Sequence, residues 1–233
     1  MKILAIIPAR CGSKGFPNKN IAKISNKTLL ELAIKVGLDC KIVDDVYIST
    51  DSPDYERLAV NAGAKSLGLR DRKYATDTAK SVDLVIDLIN KLDKKYDYVL
   101  LLQPTSPLRE PKDIENMVKN IEQNNADASV SITCIDEPHP YKLKSMDNNG
   151  FIKPFISGTS SEVPRQSLPK VYALNGAIYI VKVATILNDK TFLPKKTNPY
   201  VMNMSINIDS EEDFIFLESL FNKNKVRIYG CNR

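Results

Sequence analysis

Short apolar runs alternate along this chain with longer segments that have helical spacing, and this alternation restricts the fold more than any other feature. The first run, Ile3–Pro8, is followed by a turn-rich segment at 9–20. Further apolar runs follow at 46–50, 98–102, 128–134 and 177–181. Between them, apolar residues recur every three or four positions, which predicts helices. The order favours a three-layer α/β fold, with a mostly parallel sheet covered by helices on both faces.

The predicted helices have recognisable start signals. Thr28 is a suitable N-cap for the first helix, and Pro53 suits the first turn of the second. Pro111 opens a further helix in the same way. Ser210 and Asp213 have the spacing of a capping box, which predicts the start of the last helix.

Residues 135–174 interrupt this pattern. They contain five prolines and short alternating runs, which favour small antiparallel strands joined by a hairpin turn at 147–150. We interpret this segment as an excursion from the main sheet inside a single domain that spans residues 1–233. A final apolar alternation at 226–229 predicts an edge strand.

The composition argues against several classes of site. The four cysteines are widely and irregularly spaced, and His139 is the sole histidine, so the sequence gives little support to a zinc cluster or a histidine-dependent hydrolase. Reduced thiols in the cytoplasm are the simplest interpretation. The first apolar run is shorter than a signal-peptide core, and no run has the length of a membrane span. We therefore expect a cytoplasmic protein without a membrane partner.

The positive charge is concentrated at the two ends of the chain. The net charge is +5, yet the first thirty residues alone carry +6 without a single acid, the last eleven carry +4, and the residues between them sum to −5. A nucleic-acid-binding protein would show a broad basic face instead. The distribution indicates a small anionic ligand near the N-terminal loop and no nucleic-acid partner.

The loop at 9–20 has the features of a polyphosphate site. Gly12 and Gly15 permit close approach of the backbone to a ligand, while Arg10, Lys14 and Lys19 supply three cations. The glycine spacing matches neither a Walker loop nor the dinucleotide fingerprint. The alternative is a solvated basic loop with turn glycines.

Six blocks of sequence resemble those of one enzyme family. The blocks are 7–20, Arg70 with 75–81, 101–109, 139–142 with 164–166, 175–179, and 206–213. Together they resemble the CMP-sialic acid synthetase family, whose members activate nonulosonic acids, including legionaminic and pseudaminic acids. The resemblance covers roughly residues 3–221. It implies a Rossmann-like nucleotidyltransferase fold and a homodimer built by the excursion.

The resemblance also implies the substrates, which are CTP and an acidic nine-carbon sugar, and the residues that bind the nucleotide. Arg10, Lys19 and Asp209 would be the catalytic residues. Arg10 and Lys19 would hold the phosphates and offset charge in the transition state, and Asp209 would hold Mg²⁺. The implied nucleotide-binding residues are Ala9, Arg10, Gly12, Ser13, Lys14, Lys19, Asn20, Arg70 and Ser81.

A second group of residues is implied to bind the sugar. Gln103 follows an apolar strand and can both donate and accept hydrogen bonds, and Arg165 is suited to bidentate capture of a carboxylate. The implied sugar-binding residues are Gln103, Lys142, Arg165, Asn175, Tyr179 and Phe192. The alternative for the 103–109 segment is a turn followed by a helix cap, which would account for Ser106 and Arg109.

Asp209 and Asn207 are the candidate metal ligands. We predict that Asn207 lies on a strand just before the last helix, where alternation places its side chain on the same face as that of Asp209. Two oxygen ligands on one face suit Mg²⁺. The family usually has two aspartates here, so Asn207 puts a symmetrical two-carboxylate site in doubt and makes Asp209 the principal ligand. Asp209 is also the leading candidate for the general base. The alternative is that Asp209 only caps the last helix, although Ser210 is the better cap.

Two other functions remain open on the sequence. One is activation of a different acidic sugar, such as 3-deoxy-octulosonic acid, but those synthetases have a Gly-Asp pair where this chain has Gln103 and Pro104. The other is a catalytically silent nucleotide-binding protein, which the Asn207 departure supports. Asp51, at the end of another predicted strand, is explained by capping of the helix that follows it.

Overall fold

A six-stranded sheet is the centre of the computed structural model, which describes residues 1–12, 15–76 and 78–231. In chain order the strands are β1 (Ile3–Pro8), β2 (Lys23–Ile24), β3 (Lys27–Thr28), β4 (Asp45–Ser49), β5 (Tyr98–Leu101), β6 (Ala128–Ile135), β7 (Lys144–Met146), β8 (Ile152–Pro154), β9 (Val171–Lys182) and β10 (Thr197–Val201). The helices are α1 (Leu29–Asp39), α2 (Pro53–Asn61), α3 (Ser81–Lys91), α4 (Pro111–Asn124), α5 (Val183–Asp189) and α6 (Glu211–Asn222). Short 3₁₀ turns lie at Lys19–Ile21, Arg72–Tyr74, Pro140–Lys142 and Arg165–Ser167.

The sheet is mostly parallel, as predicted. Its strand order is β10-β6-β9-β5-β1-β4, and β1 pairs in parallel with both β4 and β5. β10 is parallel to β6, whereas β9 lies antiparallel between β5 and β6. The carboxyl ends of β1, β4 and β5 therefore meet at one edge of the sheet, where ligands bind in open α/β folds.

Two strand predictions were incomplete or wrong. β10 was not anticipated, because Thr197–Val201 contains a proline and two polar residues instead of an apolar run. The predicted edge strand at 226–229 does not form. Val226 and Ile228 are buried in a cluster with Leu217 and Phe221 of α6, and this burial explains their apolar alternation.

The predicted helix starts are confirmed. Thr28 Oγ1 accepts a hydrogen bond from the backbone N–H of Glu31 at 3.1 Å, and the Glu31 carboxylate accepts one from the backbone N–H of Thr28 at 2.7 Å, which completes a capping box for α1. Ser52 caps α2 through its side chain. Ser210 and Asp213 form the predicted box at the start of α6.

Helices cover both faces of the sheet, which confirms the three-layer arrangement. On one face, Ile3, Ala5 and Ile7 pack with buried residues of α1, α2 and α4. On the other face, Leu4 and Ile6 pack with buried residues of α3 and α5. All five side chains are fully buried, so β1 is the common centre of both layers. Within the described residues, no helix combines the length and the apolar character needed to cross a membrane.

The excursion is shorter than predicted. β6 continues to Ile135 and β9 begins at Val171, so residues 136–170 leave the sheet, not 135–174. Asn175 and Gly176 interrupt the apolar run of β9 in the sequence, which explains why its first residues were assigned to the excursion. The antiparallel pair β7–β8 and its turn at Asp147–Gly150 are confirmed.

A buried carboxylate fixes the amino end of β4, far from the carboxyl edge of the sheet. Asp45 is 6% exposed and accepts hydrogen bonds from the ammonium groups of Lys65 and Lys94 and from Tyr96 Oη at 2.6 Å. Burial alone would raise the pKa of Asp45, but these hydrogen bonds outweigh it and hold the pKa well below its usual range. The charged carboxylate is therefore the form that stabilises the fold.

We expect Asp45→Asn to lower the free energy of unfolding by about 2 kcal/mol at pH 7, because charge-assisted hydrogen bonds to a buried group are lost. The folded-state pKa is lowered, so this stabilisation is present above the unfolded-state pKa of about 4 and is lost as pH falls further. Urea unfolding at pH 7 and pH 3 should show the difference shrinking in acid. Asp54→Asn, in the exposed pair with Arg57, is the control and should change little. A difference that stays constant with pH would contradict this account.

Candidate active site

A cleft of about 240 Å³ opens at the carboxyl ends of β1, β4 and β5. It is lined by Pro8, Arg10, Lys19, Asn20, Arg70, Tyr74, Thr76, Ala79, Ser81, Leu84, Gln103, Pro104, Thr105, Asn207 and Asp209. Pro8 ends β1, and Gln103 follows β5 by two residues, so neighbouring parallel strands deliver the loops that form the cleft. Arg70 is held at the end of β4, where its backbone N–H donates to Thr50 O at 2.8 Å.

The cleft brings together many of the residues that the sequence singled out. The predicted residues that line it are Arg10, Lys19, Asn20, Arg70, Ser81, Gln103, Asn207 and Asp209. Ala9 and Gly12 belong to the same loop without lining the cleft. Ser13 and Lys14 lie outside the described residues, as does Asp77 of the second sequence block.

The basic loop is held from the end of β4. Its Ala9 N–H donates to Ser49 O at 3.0 Å, and the Cys11 N–H donates to Asp51 Oδ1 at 2.8 Å. Asn20 Nδ2 donates back to Arg10 O at 3.0 Å, which closes the loop on itself. These bonds fix the backbone that carries Arg10 towards the cleft.

Gly15 packs this loop directly against the segment at 207–209, which forms the opposite side of the cleft. A Cβ at this position would lie 2.7 Å from the carbonyl oxygen of Asp209, closer than real Cβ contacts. That oxygen belongs to the backbone, so a side chain cannot be accommodated by a rotamer change. Glycine is therefore required where the loop and the 207–209 segment meet.

Lys19 links the two sides of the cleft. Its ammonium lies 2.8 Å from Asp209 Oδ1 and 3.0 Å from Ile208 O, with the lysine side chain 16% exposed. Asn207 Nδ2 donates to the other carboxylate oxygen of Asp209 at 2.6 Å. Both oxygens of Asp209 thus have donors, and one of these donors is a cation that faces the cleft.

Asn207 and Asp209 do not lie on a strand, which corrects the prediction. The chain between β10 and α6 forms no strand, and it is fixed by Ile208, which is fully buried and whose N–H donates to Thr105 O at 2.8 Å. The side chains of Asn207 and Asp209 nevertheless both line the cleft and are hydrogen-bonded to each other. Ser210 caps α6, so Asp209 is not needed for that purpose.

Arg70 is a buried cation with unused donors. Its side chain is 6% exposed, and its Nη2 lies 3.6 Å from Asp51 Oδ1, beyond hydrogen-bond distance. Among the described residues, neither its Nε nor its Nη2 has a hydrogen-bond partner. Burial lowers the pKa of Arg70, and Asp51 opposes that shift while Arg10 adds to it. A buried guanidinium with free donors beside a cleft suits a polar or anionic ligand.

Asp51 has a role that the sequence did not reveal. Capping was predicted to explain it, but Ser52 caps α2 and Asp51 instead accepts from Cys11 and faces Arg70. Asp51 does not itself line the cleft. The lining residues that were not among the predicted site residues are Pro8, Tyr74, Thr76, Ala79, Leu84, Pro104 and Thr105. Most of them lie in the sequence blocks that resemble the enzyme family, and this position in a block was the signal by which they could have been found.

Five predicted sugar-binding residues do not line this cleft. Lys142 and Arg165 lie on the excursion, where the Lys142 ammonium is 3.5 Å from a Glu137 carboxylate oxygen and Arg165 is exposed. Tyr179 packs on Phe192 with ring centroids 5.6 Å apart, and burial raises the pKa of Tyr179.

Asn175, the fifth, is used inside the sheet. Its Oδ1 accepts from Ser131 Oγ at 2.6 Å, and its Nδ2 donates to Thr133 Oγ1 at 3.1 Å. Its side chain therefore supports the β6–β9 pairing and does not reach the cleft.

The oxygen groups in the cleft fit a particular kind of metal ion. In the residues described, no group of three or more His, Cys, Asp or Glu side chains is placed to hold a metal. Asp209 with the amide oxygen of Asn207 offers two hard ligands at most. This suits a divalent ion that keeps several waters and is held partly by substrate phosphates, and it does not suit a metal that requires a full protein cage.

Comparisons with known proteins agree with this geometry. A family model described as cytidylyltransferase matches residues 4–149. The chain is 37% identical to the CMP-N,N'-diacetyllegionaminic acid synthase of Legionella pneumophila, over 97% of this chain and 98% of that protein. It is 33% identical to the N-acylneuraminate cytidylyltransferase of Streptococcus agalactiae over 92% of this chain. The chain spans about half of that relative, since the match covers 52% of it.

Among solved structures, a CMP:2-keto-3-deoxy-manno-octonic acid synthetase complexed with CTP superposes with a TM-score of 0.72 at 17% identity. The match covers 96% of this chain and 100% of that one. At this identity the likeness shows the fold, which is of the Rossmann-like type predicted from the sequence.

Proposed function

Because the chain belongs to the CMP-sialic acid synthetase family of cytidylyltransferases, we propose that it transfers CMP from CTP to the anomeric hydroxyl of a nonulosonic acid. Family membership confirms the resemblance drawn from the motifs and makes the chain a CTP-dependent nucleotidyltransferase. The observation that carries the proposal is the convergence of Arg10, Lys19 and Arg70 with Asp209 in one cleft. Three cations beside one carboxylate match a triphosphate held for transfer.

The proposed reaction is an in-line displacement at the α-phosphorus of CTP. The anomeric oxygen forms a bond to phosphorus, the bond to the bridging oxygen of the β-phosphate breaks, and pyrophosphate leaves. Arg10 and Lys19 hold the phosphates and offset the charge that develops on the leaving group. Among the described lining residues Asp209 is the sole carboxylate, so we assign it the proton of the attacking hydroxyl.

We propose that the divalent ion is Mg²⁺, with Asp209 as its principal protein ligand and Asn207 as a neutral one. When bound, the ion would neutralise phosphate charge and polarise the reacting oxygens. Lys19 donates to Asp209 Oδ1, and we propose that it exchanges this contact for one to a phosphate oxygen when CTP binds. Arg70, Asn20 and Ser81 complete the nucleotide side of the cleft.

Pyrophosphate release tests the proposed function. Purified protein with CTP and Mg²⁺ should release pyrophosphate with at least one of sialic, legionaminic and pseudaminic acid. We expect the legionaminic type to be used, because a relative that matches this chain end to end at 37% identity carries that name. Omission of the metal and replacement of CTP by UTP are the controls. If CTP binds but no sugar leads to pyrophosphate release, the proposed transferase activity is refuted. If 3-deoxy-octulosonic acid is the sole sugar turned over, the proposed nonulosonic acid substrate is refuted.

We further propose that the protein is a homodimer joined through the excursion. Residues 136–170 carry exposed apolar side chains, among them Met146 at 73%, Phe151 at 72% and Ile152 at 73% exposure. Contiguous exposed apolar surface is typical of an interface. Lys142 and Arg165 lie on the same segment away from their own cleft, so we propose that a second copy places them at the sugar side of its partner's cleft.

We expect Phe151→Glu to convert the protein from about twice 26.1 kDa to a 26.1 kDa monomer in multi-angle light scattering, because a charge would be buried at the contact. Phe216→Glu is the matched control, since Phe216 is also exposed, at 57%, but on α6. A wild-type monomer, or equal effects of the two variants, would rule out this interface.

A further inference from the structure

Arg109 is a fully buried cation between β5 and α4. Its side chain is among the largest completely buried ones, and its Nη1 donates to the carbonyl oxygens of Gln103 at 2.6 Å, Ser106 at 2.9 Å and Ala177 at 3.2 Å. Burial lowers the pKa of Arg109 to about 9, and Asp113 opposes that shift, so the guanidinium is charged at neutral pH.

This burial is not explained by stability. Within the described residues, no carboxylate lies within ion-pair distance of Arg109, and its Nε has no hydrogen-bond partner. Asp113 acts on the guanidinium from a distance, but removing a charge from water without a direct ion pair is costly, and an aliphatic side chain would fill the same space without that cost. A buried cation held only by carbonyl oxygens therefore indicates a role in fixing those carbonyls.

The carbonyls that Arg109 binds belong to the turn that supports the cleft. Gln103 lines the cleft, and within the same turn Thr105 O accepts the N–H of Ile208 at 2.8 Å. Ser106 Oγ lies 3.4 Å from Asn207 Oδ1. Displacement of this turn would therefore move both Gln103 and the segment that carries Asp209.

The third carbonyl connects the turn to β9. Ala177 follows Gly176, which has φ +72°, and a Cβ on Gly176 would lie 3.4 Å from Gln103 Oε1 and 3.7 Å from Asn207 Oδ1. The side-chain oxygens from two other chain segments therefore meet at this glycine. Arg109 binds both the turn and the residue after Gly176, so one guanidinium sets their separation.

We propose that Arg109 is a positioning residue, whose guanidinium fixes the turn at 103–106 so that Gln103 and Asp209 face the cleft together. Arg109 does not contact the cleft itself. The inference rests on the proposed function and deepens it. It assigns to one residue the alignment of Gln103, which is proposed to bind the sugar, with Asp209, which is proposed to bind the metal. The nucleotide side, with Arg10 and Arg70, comes from other loops and should not depend on it.

Arg109→Lys in the full chain tests this role, because an ammonium keeps the charge but cannot reproduce the planar geometry of the guanidinium. We expect kcat/KM for the sugar to fall by about tenfold and the Mg²⁺ concentration for half-maximal rate to rise, as for loss of a group that orients a ligand. The KM for CTP and calorimetric binding of CTP should change less than twofold. Arg109→Met should show the same pattern with a larger loss.

Asp45→Asn is the matched control, because it loosens the fold at the opposite edge of the sheet and should leave all these constants unchanged. Unchanged constants in Arg109→Lys, or equal loss of sugar and CTP binding, would overturn the inference. If Arg109→Lys does not fold, Ser106→Ala decides, since it breaks the link to Asn207 and should raise the Mg²⁺ requirement; no rise would overturn the inference. Absence of turnover in the wild type would refute the proposed function instead.

Discussion

Lys19→Ala should lower kcat for pyrophosphate release by about 10²–10³-fold, the usual cost of removing a group that stabilises developing charge. The Lys19 ammonium is poised at the cleft by contacts of 2.8 Å to Asp209 Oδ1 and 3.0 Å to Ile208 O. Both contacts are to oxygens, so a phosphate oxygen can replace either without leaving the ammonium unpaired. The loss should be in kcat more than in KM for CTP, because charge on the leaving group is greatest in the transition state.

Lys23→Ala is the matched control for this experiment. Lys23 is exposed on the short strand β2, four residues beyond Lys19, and does not line the cleft. Steady-state kinetics of both variants with saturating sugar should show a loss confined to the first. Normal turnover of Lys19→Ala would refute its role at the phosphates, and equal losses would indicate a general effect of charge.

Features of the fold that depend on residues close together in the sequence could be predicted. Thr28 and Ser210 form their caps with residues three positions away, so the spacing alone identified them. The position of β9 between β5 and β6 could not be predicted, because strand order depends on contacts between distant segments. β10 was missed for a related reason: it is an edge strand, where Pro199 is tolerated and an apolar run is not required.

Site residues could be predicted from the sequence where a charged or polar side chain comes directly after the end of a strand. Arg10 and Gln103 were found because loops after parallel strands converge at one edge. Arg109 and Asp51 were assigned to turns and caps, since nothing local distinguishes a buried positioning charge from a surface one. Lys142 was identified through the family resemblance alone, and its exposed position within one chain shows why composition and spacing did not indicate it.

The position of the cleft at the sheet edge also shows which cations of the N-terminal region can face a ligand. Arg10 and Lys19 line the cleft, whereas Lys23 and Lys27 lie on the two-stranded β2–β3 pair outside it. Only part of the +6 of the first thirty residues is therefore placed to meet a triphosphate. The prediction of an anionic ligand depended on the cations of the loop at 9–20. The total charge of the first thirty residues overstated how many cations face that ligand.

Asp209→Asn should reduce metal-dependent turnover by about 10³-fold, equivalent to about 4 kcal/mol of transition-state stabilisation. The substitution keeps an oxygen that can accept from Lys19 but removes the charge that a divalent ion requires. Chelation of the metal in the wild type should give a loss of similar size, and the two losses should not add. Glu211→Gln is the control, because Glu211 is an exposed carboxylate two residues away in the first turn of α6.

Asn207→Asp supplies the complementary test, because it adds a carboxylate beside Asp209 instead of removing one. In the present structure Asn207 Nδ2 donates to Asp209 at 2.6 Å, and an aspartate would replace that attraction with repulsion between like charges. A divalent ion relieves the repulsion, so the metal concentration for half-maximal rate should fall while stability without metal decreases. If both Asn207→Asp and Asp209→Asn leave the metal requirement unchanged, these residues are not the ligands, and Asp209 serves chiefly to hold Lys19 at the cleft.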